Sequence, residues 1–165
     1  KLYGYNTDFA GMKKLIEKQN ISLDSKKVLI LGTGGTSRTA YAVAESMGAS
    51  FAVKVSRSKG NGAVTYREAY SEMSDADVII NTTPVGMYPD NFSSPIDLSA
   101  FCNLSGVIDA VYNPIRSKLV SDAKKWALQR RAVFICLLRR HSVPQKSLRA
   151  RAYRFQKSMK FITPF

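Results

Sequence analysis

Between Val28 and Ala44 the chain reads VLILGTGGTSRTAYAVA, and no other stretch narrows the choice of fold so far. A short run of leucine and β-branched side chains breaks on three glycines within four residues, and small apolar residues then return at helical spacing. This predicts a strand, a tight turn and a helix. Such a turn aims the free N–H groups of a helix N-terminus past the strand end, where those donors and the helix dipole favour a phosphate. Gly32 allows the sharp turn, Gly34 removes a side chain that would block a pyrophosphate, and Gly35 opens the helix without crowding, with Thr33 and Thr36 between and beside them. The dinucleotide fingerprint G-x-G-x-x-G is matched except at its third glycine, where Ser37 is small enough for close helix–strand packing. Purely structural turns share this spacing, so the motif alone leaves both readings open.

At 165 residues with 45% apolar side chains, the chain suits one ordinary domain with a real core. It begins at Lys1 with no signal-peptide pattern, and its longest apolar run, Ala132 to Leu138, is far too short to span a bilayer. No membrane association is expected. Cys102 and Cys136 make neither a disulfide framework nor metal-ligand spacing, so a reducing cytoplasm is the expected setting and no metal site is expected. His141 stands without a partner pattern. The net charge of +13 invites a nucleic-acid reading until its distribution is considered. Residues 130–165 hold ten Lys or Arg and no acid, whereas the first 129 carry fifteen basic and twelve acidic side chains. The bulk of the chain is electrically ordinary.

Ahead of the glycine turn, Phe9, Met12, Leu15 and Ile16 follow helical spacing, with Thr7 and Asp8 where a helix start wants side-chain acceptors. Asp8 is thus expected as an N-cap, although Asn6, Thr7 and Asp8 in succession would also suit a polyhydroxylated ligand. A second strand is expected over Ser50 to Val55, ending in Ser56, Arg57, Ser58 and Lys59. In a dinucleotide fold that strand end lies beside the adenosine ribose, where an acid selects NAD and basic residues accommodate a 2′-phosphate. The absence of an acid predicts NADP; a solvated basic loop is the alternative. A helix over Tyr66 to Met73 and a buried strand over Asp77 to Asn81 follow, then TTPVGMYPDNFSSP, an irregular loop expected at the ligand crevice. A further strand is expected over Gly106 to Ala110. Pro114 is expected in the first turn of the next helix, with Ile115, Leu119, Ala123 and Trp126 along one face. Tyr112 lies at the strand end, within reach of the crevice or packed.

NTD with Gly11 three residues on, then LGTGGTSRTA, NTTPVGM and DAVYNP, in this order and spacing, resemble the second half of shikimate dehydrogenases over residues 1–129. The resemblance implies that Asp8 binds substrate and pairs with a catalytic lysine. It implies that residues 32–37, together with Ser56, Arg57 and Lys59, hold NADP. Asn81, Thr82 and Thr83, in the segment that runs to Met87, and Ala110 would border the cofactor, and Tyr112 would contact the substrate. The family reaction is reversible reduction of 3-dehydroshikimate to shikimate, with hydride from NADPH. The family's substrate domain and catalytic lysine have no counterpart in these residues, so the chain alone is expected not to turn over substrate. A homodimer is what the resemblance implies for intact members.

From about Arg130 the sequence departs from that family, which continues with a glycine pair, a short hydrophobic segment containing glutamine, and a helix ending near threonine and glycine. Back-translating Phe134 to His141 as TTT ATA TGT CTG TTG CGC AGG CAC, and reading two nucleotides later, yields Tyr-Met-Ser-Val-Ala-Gln-Ala. The same shift permits Gly-Gly-Leu upstream and Glu-Ile-Phe-Thr-Gly downstream through Ala150. The tail is therefore expected to be an out-of-frame translation, poorly ordered, its charge an accident of codons. A basic aromatic tail gripping phosphates through residues such as Arg149, Arg151, Tyr153 and Arg154 is the competing reading and leaves the hidden match unexplained.

The expected fold is α/β, a doubly wound Rossmann-like and mainly parallel sheet, incomplete at its C-terminal end. The expected organisation is the end of a substrate domain with its linking helix over 1–20, an NADP-binding domain over 21–129, and the tail over 130–165. A non-catalytic dinucleotide-binding module is the alternative function.

Overall fold

The computed structural model describes residues 7–60, 62–130 and 134–137. Among them, helix α1 (Thr7–Lys18) precedes strand β1 (Lys27–Leu31), α2 (Gly35–Ser46), β2 (Phe51–Ser56), β3 (Ala63–Thr65) and α3 (Tyr66–Glu72). Strand β4 (Val78–Asn81), β5 (Gly106–Asp109), α4 (Lys118–Arg130) and β6 (Phe134–Leu137) complete the order, with a short 3₁₀ turn at Leu98–Ala100. The sheet runs β3-β2-β1-β4-β5-β6, and every neighbouring pair is parallel. This order reverses direction between β1 and β4, and open sheets of this kind leave a crevice outside the strand ends at such a switch point.

Side chains alternate across the sheet, so each strand feeds two cores. On one face Val28, Ile30, Val78, Ile80 and Ile108 pack with Met12 and Ile16 of α1 and with Ala40, Val43 and Ala44 of α2. On the other, Leu29, Leu31, Ile79 and Val107 pack with Ala69 of α3, Leu119 and Ala123 of α4, and Phe101. The unbroken apolar character of VLIL and VII follows from this two-sided burial.

Two expectations need correction. The sheet does not stop at β5: Phe134–Leu137 pairs with it in parallel, Gly106 opposite Phe134 and Asp109 opposite Leu137. Backbone pairing asks only for an extended apolar segment, which FICL supplies. The closing helix, the charge of the tail and its reading frame lie outside the described residues. Pro114 does not enter a helix either. The helix begins at Lys118, and Ile115 is exposed ahead of it. Ser117 is the reason: its Oγ accepts from Val120 N–H at 3.3 Å and its carbonyl from Ser121 N–H at 3.0 Å, so the chain is capped there.

Candidate functional site

The glycine turn lies at the switch point. Gly32 has φ +107°, and its N–H donates to the Val55 carbonyl at 2.8 Å, joining the ends of β1 and β2. A Cβ on Gly32 would lie 3.0 Å from Thr82 Oγ1 and 3.2 Å from Thr83 Cγ2. The residue is a glycine because the end of β4 closes over it. Gly34 and Gly35 present the opposite situation: a Cβ at either would meet nothing within 4 Å. Thr33, Gly34, Gly35 and Thr36 are exposed, and no side chain among the described residues caps α2 at Gly34. Ser37 is fully buried, and its Oγ donates to the Gly34 carbonyl at 2.6 Å, drawing the turn onto the helix. The result is an open concavity whose floor is backbone and whose donors are those of a helix start.

The second wall is the end of β4. Thr82 donates to the Leu31 carbonyl through both its N–H (3.0 Å) and its Oγ1 (2.6 Å). Asn81 is completely buried and turns inward: its Oδ1 accepts from Thr83 N–H at 2.9 Å and from Thr83 Oγ1 at 2.7 Å, while its Nδ2 donates to Asp109 Oδ1 at 3.0 Å. Its side chain therefore supports the wall instead of facing the crevice. Asp109, also fully buried, accepts from Val111 N–H at 2.9 Å and from the Ser117 hydroxyl on its other oxygen. Burial pushes its carboxyl above the ordinary value, against the opposing pull of Ser117, Val111 and Asn81. Ala110 is half-buried, with its N–H on the Asn81 carbonyl at 2.9 Å. The loops after β4 and β5 meet where Tyr88 N–H donates to the Asn113 carbonyl at 3.1 Å.

At the β2 end the expected cations separate. Arg57 is exposed one residue beyond the strand. Its charge opposes the rise that burial and Tyr70 impose on the Tyr66 hydroxyl, which places it beside the start of α3. Lys59 is not open to a ligand in the same way, because its Nζ is held by Glu68 Oε1 at 2.8 Å. Ser56 is half-buried as the last residue of β2.

Asp8 sits inside the first turn of α1 and not at its N-cap, because the helix already begins at Thr7; a negative charge there still complements the helix dipole. Helix α1 runs down against the sheet: Ile21, just past its end, lies against the start of β5, 3.1 Å from the position a Cβ on Gly106 would take. Asp8 is exposed near the opposite end of α1 from Ile21. Tyr112, beyond the carboxyl end of β5, is 55% exposed. Among the described residues no group of His, Cys, Asp or Glu could hold a metal ion, and no helix is long and apolar enough to cross a membrane.

Similarity to known proteins agrees with this geometry. The shikimate dehydrogenase (NADP(+)) of Clostridium perfringens strain 13 is 32% identical over 133 residues, covering 75% of this chain and 49% of that protein. The crystal structure of shikimate dehydrogenase 1 from Peptoclostridium difficile superposes with a TM-score of 0.70 at 32% identity, covering 82% of this chain and 49% of that one. The chain is a shikimate dehydrogenase homologue. A chorismate mutase/shikimate 5-dehydrogenase fusion from Clostridium acetobutylicum is also similar, with TM-score 0.72 and 28% identity over 81% of this chain and 48% of that one. No family model matches the chain. The chain spans about half the length of the curated relatives it matches.

Three residues of this shikimate dehydrogenase homologue shape the site without having been expected there. Asp109 and Ser117 hold the β4 and β5 ends together, and Glu68 occupies Lys59. A signal existed for Ser117, a hydroxyl directly before the apolar spacing of α4. The pairing of Asn81 with Asp109 becomes visible only once β4 and β5 are set in register.

Proposed function

We propose that this chain binds NADP and serves as the cofactor-bearing part of a shikimate dehydrogenase, which reversibly reduces 3-dehydroshikimate to shikimate. The observation that carries the reading is the glycine turn at the β1–β4 switch point, empty above Gly34 and Gly35 and uncapped at the start of α2. Residues that fill no space and donors that lack a side-chain acceptor fit a diphosphate. Arg57 at the β2 end, with no acid among the residues that follow that strand up to Lys59, fits a 2′-phosphate.

When bound, NADPH supplies the hydride. The N–H groups of residues 34–36 would hold the diphosphate, and Arg57 the ribose phosphate. Thr82 and Thr83, fixed by Leu31 and Asn81, would border the nicotinamide. Asp8 would accept hydrogen bonds from substrate hydroxyls and act with a lysine on the proton at the alkoxide, and Tyr112 would close the substrate side.

Calorimetric titration of the purified chain with NADP and with NAD tests the reading. NADP is expected to bind more tightly; equal affinity, or tighter NAD, removes it. Shikimate added to the NADP complex is expected to raise its melting temperature further, and no effect of shikimate would favour a dinucleotide-binding module without chemistry.

A further inference from the structure

The loop expected to grip a 2′-phosphate carries two cations, but the structure gives them different surroundings. Arg57 stands exposed at the strand end, whereas Lys59 is tied by its Nζ to Glu68 Oε1 at 2.8 Å. Glu68 is itself anchored. Its other oxygen, Oε2, accepts from Thr65 N–H at 2.7 Å and from Thr65 Oγ1 at 3.0 Å, and Thr65 Oγ1 in turn accepts from Glu68 N–H at 3.2 Å. This reciprocal arrangement is a capping box at the start of α3, so the carboxylate has a fixed position and not a floating one. Glu72, one turn further along α3, adds a second negative charge facing the same ammonium. The lysine side chain is 77% exposed, so the pair stands at the surface where a phosphate would arrive.

We propose that Glu68 is a specificity-determining residue that holds Lys59 away from the cofactor and weakens the preference for NADP over NAD. The inference rests on the dinucleotide reading given above. A fixed carboxylate beside the phosphate subsite acts twice: it competes for the lysine's donors, and it repels a dianion directly. NAD, with a neutral 2′-hydroxyl, is affected by neither. Discrimination therefore rests on Arg57, with Lys59 in reserve.

Glu68→Gln is the appropriate variant, because glutamine also serves at this position of a capping box and keeps α3 started while removing the charge. The dissociation constants for NADP and NAD are measured for wild type, Glu68→Gln and the double variant Glu68→Gln with Lys59→Ala, alongside thermal melts confirming a folded chain. The ratio of NAD to NADP dissociation constants is expected to rise about two- to fivefold in Glu68→Gln, the range for an exposed charge pair, and the added Lys59→Ala is expected to remove that gain. A ratio that stays level or falls in folded Glu68→Gln overturns the inference, as does a gain that survives loss of Lys59. Should Glu68→Gln not fold, the same ratio is read for Glu68→Ala, in which the Thr65 hydroxyl can still accept from the residue 68 N–H, and a ratio that does not rise in that variant also overturns the inference. Wild type that binds neither dinucleotide overturns the cofactor reading itself, a result distinct from NADP binding with an unmoved ratio.

Discussion

The amide of Asn81 donates to the carboxylate of Asp109 across the ends of two adjacent parallel strands, at 3.0 Å and with both side chains fully buried. One acid thereby collects the end of β4, the start of the loop after β5 and, through Ser117, the first turn of α4. The wall of the crevice is set by this buried group, so its removal is expected to loosen three elements at once.

Asp109→Ala leaves the Asn81 amide, the Val111 N–H and the Ser117 hydroxyl without their buried acceptor, and is expected to cost about 3 kcal/mol of folding stability. Urea unfolding of the two proteins checks it. A loss within ordinary surface scatter would mean that the network is dispensable.

Burial raises the Asp109 pKa above 3.8, so between that value and its folded value the native chain holds a proton that the unfolded chain has released. Stability from this group is accordingly expected to fall as pH rises through that window. Compared with Asp109→Asn, the wild type is expected to gain relative stability from pH 7 toward pH 4; a relative loss in acid would contradict the sign.

Glu68 titrates in the other direction. Its hydrogen bonds from Lys59, then Thr65, bring its pKa down to about 2 from 4.5, so the capping interaction persists above 4.5 and is lost as pH falls toward 2. Carbon NMR of the Glu68 carboxyl is expected to show that low midpoint. A midpoint at the ordinary glutamate value would mean that the pair does not form in solution.

Two glycine substitutions separate fold from ligand. Gly32→Ala forces a side chain onto φ +107° and against Thr82, and is expected to destabilise the chain by about 2 kcal/mol. Gly34→Ala enters open space at φ −76° and is expected to cost less than about 1 kcal/mol, the difference between glycine and alanine as an N-cap. Its methyl group stands where a diphosphate would approach, so NADP affinity is expected to fall about tenfold. Equal losses of NADP affinity per unit of stability in the two variants would deny the turn a ligand.

Arg57→Ala is expected to weaken NADP about tenfold and to leave NAD nearly unchanged, because a charge-assisted contact to phosphate is lost only where the phosphate exists. Titration with both cofactors decides it.

Much of this architecture is legible along the chain. VLIL followed by glycines and then spaced alanines signals a strand, a turn and a helix through local sterics alone, and the turn chemistry of Gly32 is readable for the same reason. What escapes is whatever depends on a neighbour distant in sequence. Asn81 stands in a run of hydroxyls and looks ligand-facing until Asp109 is set beside it. Lys59 looks available until α3 folds back and offers Glu68. Pro114 and Ser117 both announce a helix start, and Ser117 prevails because its hydroxyl also satisfies a buried carboxylate.

The strand order has a consequence for how the molecule is made. β1 occupies the middle of the sheet yet precedes the other described strands of that sheet in the chain, and its partner on one side, β4, does not exist until the ribosome has delivered Val78–Asn81. Through that interval an unbroken stretch of valine, leucine and isoleucine waits with one lateral edge bare, and no hairpin can shield it because every pairing is parallel. Putting the glycine turn at the centre of the sheet thus makes its strand wait, half paired, for a neighbour some fifty residues further along the chain.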